Sequence, residues 1–171
     1  MFVFTPSIRN SLSARSVRAA PTVPNETKGY DAGKKIKGRK TFGVTDTLGL
    51  LIAIVVVAAD VSDNTGGIAA IDLARHRNKR IAKLWCDGGF KKTFIEHCRH
   101  HHISAEVVTK IAPTGFEVIQ RRWVIERTWS WIMNHRRLQI DYERDPVMHE
   151  GFIWVAHTRL LLRRLTQAPT P

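Results

Sequence analysis

Asp87 and Glu126 are two side chains whose type and setting suit a hard metal ion. Asp87 stands in LWCDGGF, at the carboxyl end of a short apolar run and directly before two glycines. In α/β sheets, ligands collect beyond such strand ends, and glycines there let a substrate backbone come close. The same letters also suit a turn whose aspartate caps the next helix. Glu126 lies in RRWVIERTW, four residues after Arg122, so both side chains share one helix face. Taken alone, that spacing describes a surface i,i+4 ion pair worth about 0.3–0.5 kcal/mol. Trp123, Trp129 and Trp131 argue instead that the helix packs on a core, leaving its charged face free to line a cleft. Carboxylate oxygens are the preferred ligands of Mg²⁺. Two such ions, held roughly 3.5–4 Å apart, stabilise the attacking and leaving oxygens of phosphoryl transfer. That chemistry takes about three carboxylates, so Asp87 and Glu126 leave it one short.

Other clusters carry weaker chemistry. Lys34, Lys35, Lys37, Arg39 and Lys40 form the densest basic run and are punctuated by glycines. They read as phosphate contacts, with a solvated loop as the alternative. His97, His100, His101 and His102 gather around Cys98. Zinc sites usually pair two short ligand motifs at defined separations, and no partner motif stands elsewhere, so this cluster reads as a solvated, basic helix end.

Charge points the same way as the basic run. The 171 residues carry 27 Lys and Arg against 15 Asp and Glu, a formal net charge of +12. Such a balance implies a polyanionic partner, for which nucleic acid is the usual one. Residues 1–40 hold nine of the cations against two acids and residues 120–171 nine against five, whereas residues 41–119 are near balance. Cys86 and Cys98 form no Cys-x-x-Cys pair, which speaks against a disulfide framework and for a reducing cytoplasm. The longest apolar stretch, Leu48 to Ala59, is too short to span a bilayer. The amino terminus lacks the pattern of a secretory signal.

The elements that must position these residues follow from local patterning. Residues 1–29 are rich in Ser, Arg, Thr and Pro and read as irregular, with a short strand near Ser16–Ala20. Thr41 to Thr45 and the Ile/Val-dense Leu50 to Ala59 make a hairpin around Asp46 to Gly49. Asp60 to Gly67 is turn-like, and Ile68 to Arg77 has helical spacing. A strand over Ile81 to Cys86, a helix over Lys91 to His101 and a strand over Ile103 to Thr109 come next. A loop at Pro113 to Gly115 leads to a helix from Glu117 to Asn134, and Pro146 opens a last helix to about Leu165. The order implies a mixed α/β domain with central strands and flanking helices.

The ordered strings YDAGKKIKGRK, VTDTLGLLIAIVVVAADVSDNTGG, LWCDGGF, RRWVIERTWSWI and HRRLQIDYER closely resemble insertion-sequence transposases of the IS-five type. The resemblance runs from about Ser16 to Leu165. It implies a ribonuclease-H-like domain over residues 30–166, a divergent or truncated segment over 1–29, a short tail over 167–171, and a fold incomplete at the amino terminus. It also implies a bacterial, cytoplasmic enzyme that cuts and joins DNA with an Asp, Asp, Glu triad and two Mg²⁺ ions. Its partners would be double-stranded DNA, at transposon ends and target, with a homo-oligomer left open. By motif, Asp87 matches the second aspartate, Glu126 the glutamate, and Arg122 the arginine of the tyrosine–arginine–glutamate–lysine signature. The signature's tyrosine falls at Ile119 and its lysine near Met133, with Arg136 or Arg137 as stand-ins for the lysine. Family members read Asp-Ser-Gln-Ser-Val before the basic run, whereas this chain reads Ser13-Ala14-Arg15-Ser16-Val17, which sets Ser13 at the first aspartate. Residues 1–15 depart from the family, and its amino-terminal helices are missing, as expected of a truncated or frameshifted copy. A defective strand-transfer enzyme is therefore expected, unless Asp31, Asp46, Asp60 or Asp63 replaces the lost aspartate. A non-enzymatic DNA-binding remnant is the alternative, and an unrelated basic nucleic-acid-binding module fits the ordered motifs least.

Overall fold

A computed structural model of the chain describes residues 8–108 and 120–167. The loop expected at Pro113–Gly115, the start of a helix at Glu117, the signature position Ile119 and residues 168–171 lie outside them. Six strands form one mixed sheet among the described residues, in the order β2-β3-β1-β5-β6, with β4 on β3. They are β1 (Ile8–Arg18), β2 (Gly29–Asp31), β3 (Ile36–Thr45), β4 (Leu51–Ala58), β5 (Ile81–Cys86) and β6 (Ser104–Val107). Four helices accompany them: α1 (Asp63–Arg77), α2 (Lys92–His100), α3 (Gln120–Met133) and α4 (Pro146–Thr166).

The amino-terminal segment corrects the sequence expectation. Residues 8–18 form an eleven-residue strand rather than an irregular stretch. Its composition hid it, because Asn10, Ser11 and Ser16 are buried polar residues in the middle of a sheet. Burial of polar groups is tolerated where they are hydrogen-bonded. Asn10 donates to the Thr45 carbonyl at 3.1 Å, and Ser16 donates to the Asp31 carboxylate. The basic segment is a hairpin, with Lys34 and Lys35 in its turn and Lys37, Arg39 and Lys40 on its second strand. Gly29, Tyr30 and Asp31 pair antiparallel with Gly38, Lys37 and Ile36, and Lys35 turns the chain with φ 54°.

The hairpin of β3 and β4 forms as its composition implies. Asp46 Oδ1 accepts from the N–H groups of Leu48 and Leu50 at 2.9 and 2.8 Å, and Gly49 takes φ 81°. Helix α1 starts five residues before the expected Ile68, capped by Ser62, whose Oγ accepts from Thr65 N–H at 3.1 Å. Gly66 and Gly67, read from the sequence as turn residues, lie inside it. A Cβ on Gly66 would overlap the Phe42 ring, and one on Gly67 would stand 2.5 Å from Phe90. These glycines exist for close approach of aromatic rings to a helix.

The chain divides into two compact units. One holds residues 1–14, 42–55 and 62–127. Its core gathers Leu12, Phe42, Val44, Ile54, Ile71, Leu84, Phe90, Phe94 and Ile125, all at most 2% exposed. The other holds residues 15–41, 56–61 and 128–171. Val17, Val23, Val56, Ile132, Leu138 and Ile153 form its apolar core, together with the buried polar residues Arg39, Asp141 and His149. No helix among the described residues is long and apolar enough to cross a membrane.

Candidate metal centre and nucleic-acid interface

Strand β5 ends at Cys86, so Asp87 is the first residue beyond a carboxyl-terminal strand end. Its Oδ1 accepts from Gly89 N–H at 3.0 Å, and its carbonyl accepts from Phe90 N–H at 3.2 Å. It does not cap α2, whose N-cap is Lys91. The tight Asp-Gly-Gly turn, anchored by the buried Phe90, holds the carboxylate at the strand end. Beneath it, Cys86 is pushed up to about 12, first by burial and then by Cys98 and Asp87. That thiol stays protonated and is no nucleophile.

Strand β1 lies parallel to β5, with Arg9, Asn10 and Ser11 opposite Lys83, Leu84 and Trp85. Continued for two residues, this register sets Ser13 opposite Asp87.

Among the four acids considered for the missing carboxylate, three are engaged elsewhere. Asp31 accepts from Ser16 and from Lys34 N–H. Burial alone would raise its pKa, but these bonds together with Lys40 and Lys34 hold it below the usual carboxylate value. Asp46 closes the β3–β4 turn, and Asp60 packs against Gly29. Asp63, at the first turn of α1, is the one beside Asp87. An added Cβ at Gly89 would overlap Asp63 Oδ2 and stand 3.1 Å from Asp87 Oδ1. The sequence named Asp63 among several acids, and only the packing of α1 over Gly89 selects it. Glu126 belongs to the same compact unit and is exposed on α3, next to the buried Ile125. Arg127 on that helix stacks 4.3 Å over Trp123 and donates to the Leu48 carbonyl. Asp63 and Asp87 bring two carboxylates together, the ligands a hard divalent cation takes.

The basic run divides by burial. Lys34, Lys35 and Lys37 are exposed. With Arg18, Lys28 and Tyr30, the lysines at 35 and 37 line an open hollow. Arg18 and Lys28 were not singled out from the sequence, because they are isolated cations there. Arg39 and Lys40 correct the sequence expectation of phosphate contact. Arg39 is fully buried, its guanidinium 2.8 Å from Asp141 Oδ2 and donating to the carbonyls of Thr27, Glu143 and Arg144. Lys40 is buried and donates to the Val61 carbonyl at 2.8 Å. Arg136 is exposed. Arg137 is engaged by Glu143 at 2.9 Å and stacks 4.5 Å over Phe152. Arg122 lies on the first turns of α3.

Comparison with known proteins places this geometry. The catalytic core domain of HTLV-2 integrase, solved with magnesium, superimposes with a TM-score of 0.57 at 17% identity, covering 91% of this chain and 86% of the other. The catalytic core domain of BIV integrase gives 0.52 at 11% identity, covering 96% and 88%. At these identities the likeness is one of fold, and that fold is ribonuclease-H-like. A Burkholderia cepacia protein described as a transposase for insertion sequence element IS402 is 29% identical over 124 residues, 68% of this chain. This chain spans 59% of that relative's length. The Transposase DDE domain matches residues 13–161, from Ser13 on β1 into α4, and the chain therefore belongs to that family.

Proposed function

We propose that this chain is the catalytic domain of an insertion-sequence transposase that binds double-stranded DNA at transposon ends and target, and whose metal-dependent strand cleavage and transfer is impaired. The observation that carries the reading is the parallel register of β1 and β5, which runs to Ser11 opposite Trp85 and, extended by two residues, sets Ser13 beside Asp87, where the family resemblance calls for an aspartate. Asp87, Glu126 and the adjacent Asp63 would hold Mg²⁺, which supplies positive charge to the attacking and leaving oxygens of phosphoryl transfer. Ser13 brings a neutral hydroxyl to a position that calls for negative charge. A loss of about 4 kcal/mol in transition-state stabilisation slows a step roughly a thousandfold. Lys34, Lys35, Lys37, Arg122 and Arg136 carry the DNA backbone in this reading, with Arg18 and Lys28 added by the hollow they share. The bacterial cytoplasm suits the two unpaired cysteines.

The test is a strand-cleavage assay with Mg²⁺ or Mn²⁺ on DNA carrying the element's ends. It compares the chain with its Ser13→Asp variant. A large gain in the variant supports the reading, and equal activity in the two shows that Ser13 does not occupy the first metal-ligand position. DNA binding without cleavage by either favours the second reading, a non-enzymatic DNA-binding remnant, which the exposed cations around Lys35 and Lys37 support.

A further inference from the structure

His97 on α2 and His101, the residue that caps that helix at its carboxyl end, lie four positions apart, and α1 turns Asp72 toward both. His97 Nε2 lies 2.8 Å from Asp72 Oδ1 and His101 Nε2 3.9 Å from the same oxygen. The two imidazoles meet edge to face with centroids 4.7 Å apart. One ligand atom from each of the three residues lies within 4.8 Å of the other two. The side chains of Asp72, His97 and His101 are 46%, 25% and 34% exposed, so an ion can reach them from solvent.

We propose that Asp72, His97 and His101 form a binding site for a divalent transition-metal ion of the zinc class, separate from the carboxylate centre at Asp87, with solvent completing the coordination. The donor set argues for that class. Two imidazole nitrogens and one carboxylate oxygen suit Zn²⁺, whereas Mg²⁺ takes oxygen ligands. Histidines at i and i+4 of a helix present both rings to one ion, as in helical zinc motifs. The neutral ring is the ligating form. Arg75 sets a positive charge near His101, which weakens binding of any cation. The third ligand is what the sequence pattern lacked, since Asp72 stands on a different helix with no metal motif around it. His100 and His102, equally prominent in the sequence, take no part in the cluster. The site has a structural consequence. Helix α1 begins at Asp63 and α2 follows the Asp87 turn, so an ion here ties together the two helices that border that turn.

The experiment uses the whole chain, stripped with a chelator and titrated with Zn²⁺ by calorimetry, with Co²⁺ absorption as a reporter of ligand geometry. Expected is one Zn²⁺ per chain, weakened roughly tenfold or more by His97→Gln or His101→Gln, since even outer-sphere changes cost about that, and unchanged by His100→Gln. Circular dichroism establishes that each variant is folded. Should either unfold, imidazole NMR of the unaltered chain decides instead, with Zn²⁺ shifting His97 and His101 and leaving His149 and His157 in place. Absence of stoichiometric Zn²⁺ binding, binding indifferent to both substitutions, or an NMR response at other histidines overturns the proposal and leaves Asp72 and His97 a surface ion pair.

Discussion

Asp63 and Asp87 converge above Gly89 from two different elements, close enough that a methyl group on that glycine would collide with one carboxylate and touch the other. Two like charges held together repel, and a bound cation relieves that repulsion. Asp63→Asn is expected to lower Mn²⁺ affinity by about tenfold, read by the electron paramagnetic resonance of free Mn²⁺, if Asp63 shares the ion with Asp87. Asp46→Asn, in a turn elsewhere, serves as the neutral control. Unchanged affinity in Asp63→Asn would remove that residue from the metal centre.

The buried pair Arg39–Asp141 governs stability. Both side chains are fully buried at 2.8 Å separation. Removing one partner of such a pair leaves an uncompensated charge and costs about 3–5 kcal/mol. Arg39→Ala should therefore lower the unfolding free energy by that amount in urea titration, whereas Lys37→Ala, on the surface, should stay within about 0.5 kcal/mol. Similar stabilities for the two variants would mean that Arg39 is not held as described.

Acid sensitivity follows from the same aspartate. Burial alone would raise the Asp141 pKa, but the neighbouring His149 ring, the hydrogen bond from the Glu143 N–H and the Arg39 guanidinium bring it below the usual carboxylate value. A depressed folded pKa contributes stability that is complete above the unfolded value, about 3.9, and is lost as pH falls through the folded value. The unfolding free energy of the chain should drop between roughly pH 5 and 2. Asp141→Asn should be less stable throughout, with a flatter acid limb. An unchanged limb would assign the acid loss to other carboxylates, Asp31 first among them, since its pKa is shifted the same way.

Gly66→Ala sets helix propensity against packing. Alanine favours the helix by about 1 kcal/mol over glycine, yet its Cβ would overlap the fully buried Phe42 ring. Overpacking costs about 1–3 kcal/mol, so net destabilisation is expected in thermal melts. A raised melting temperature would show that the ring moves aside freely.

DNA affinity should fall steeply with salt. Each phosphate neutralised contributes about −0.9 to the slope of log K against log salt. Replacing Lys35 and Lys37 with alanine should flatten the slope by roughly one to two of these increments, and replacing Arg18 and Lys28 should do the same if the hollow tracks the backbone. A slope indifferent to all four would place the DNA on another face.

Local patterning in the sequence was sufficient for the second half of β3 and for β4, β5, α2, β6 and α4, because apolar runs, turn residues and Pro146 mark those elements within a few positions of where they act, whereas residues 36–40 of β3 read only as a basic segment. Asp87 was legible for the same reason, a carboxylate between an apolar run and two glycines. Strand β1 was not, since a polar strand earns its place only through neighbours far along the chain, such as Thr45 for Asn10 and Asp31 for Ser16. The basic run looked uniform by composition, and burial divided it, sending Arg39 to Asp141 while Lys35 and Lys37 stayed exposed. Asp63 was one acid among four until α1 crossed Gly89, and His97 and His101 lacked a third ligand until Asp72 reached them from α1. Sequence spacing records which residues share one helix face or one strand side. The meeting of charges from different elements depends on which apolar faces pack together, and only the tertiary structure decides that.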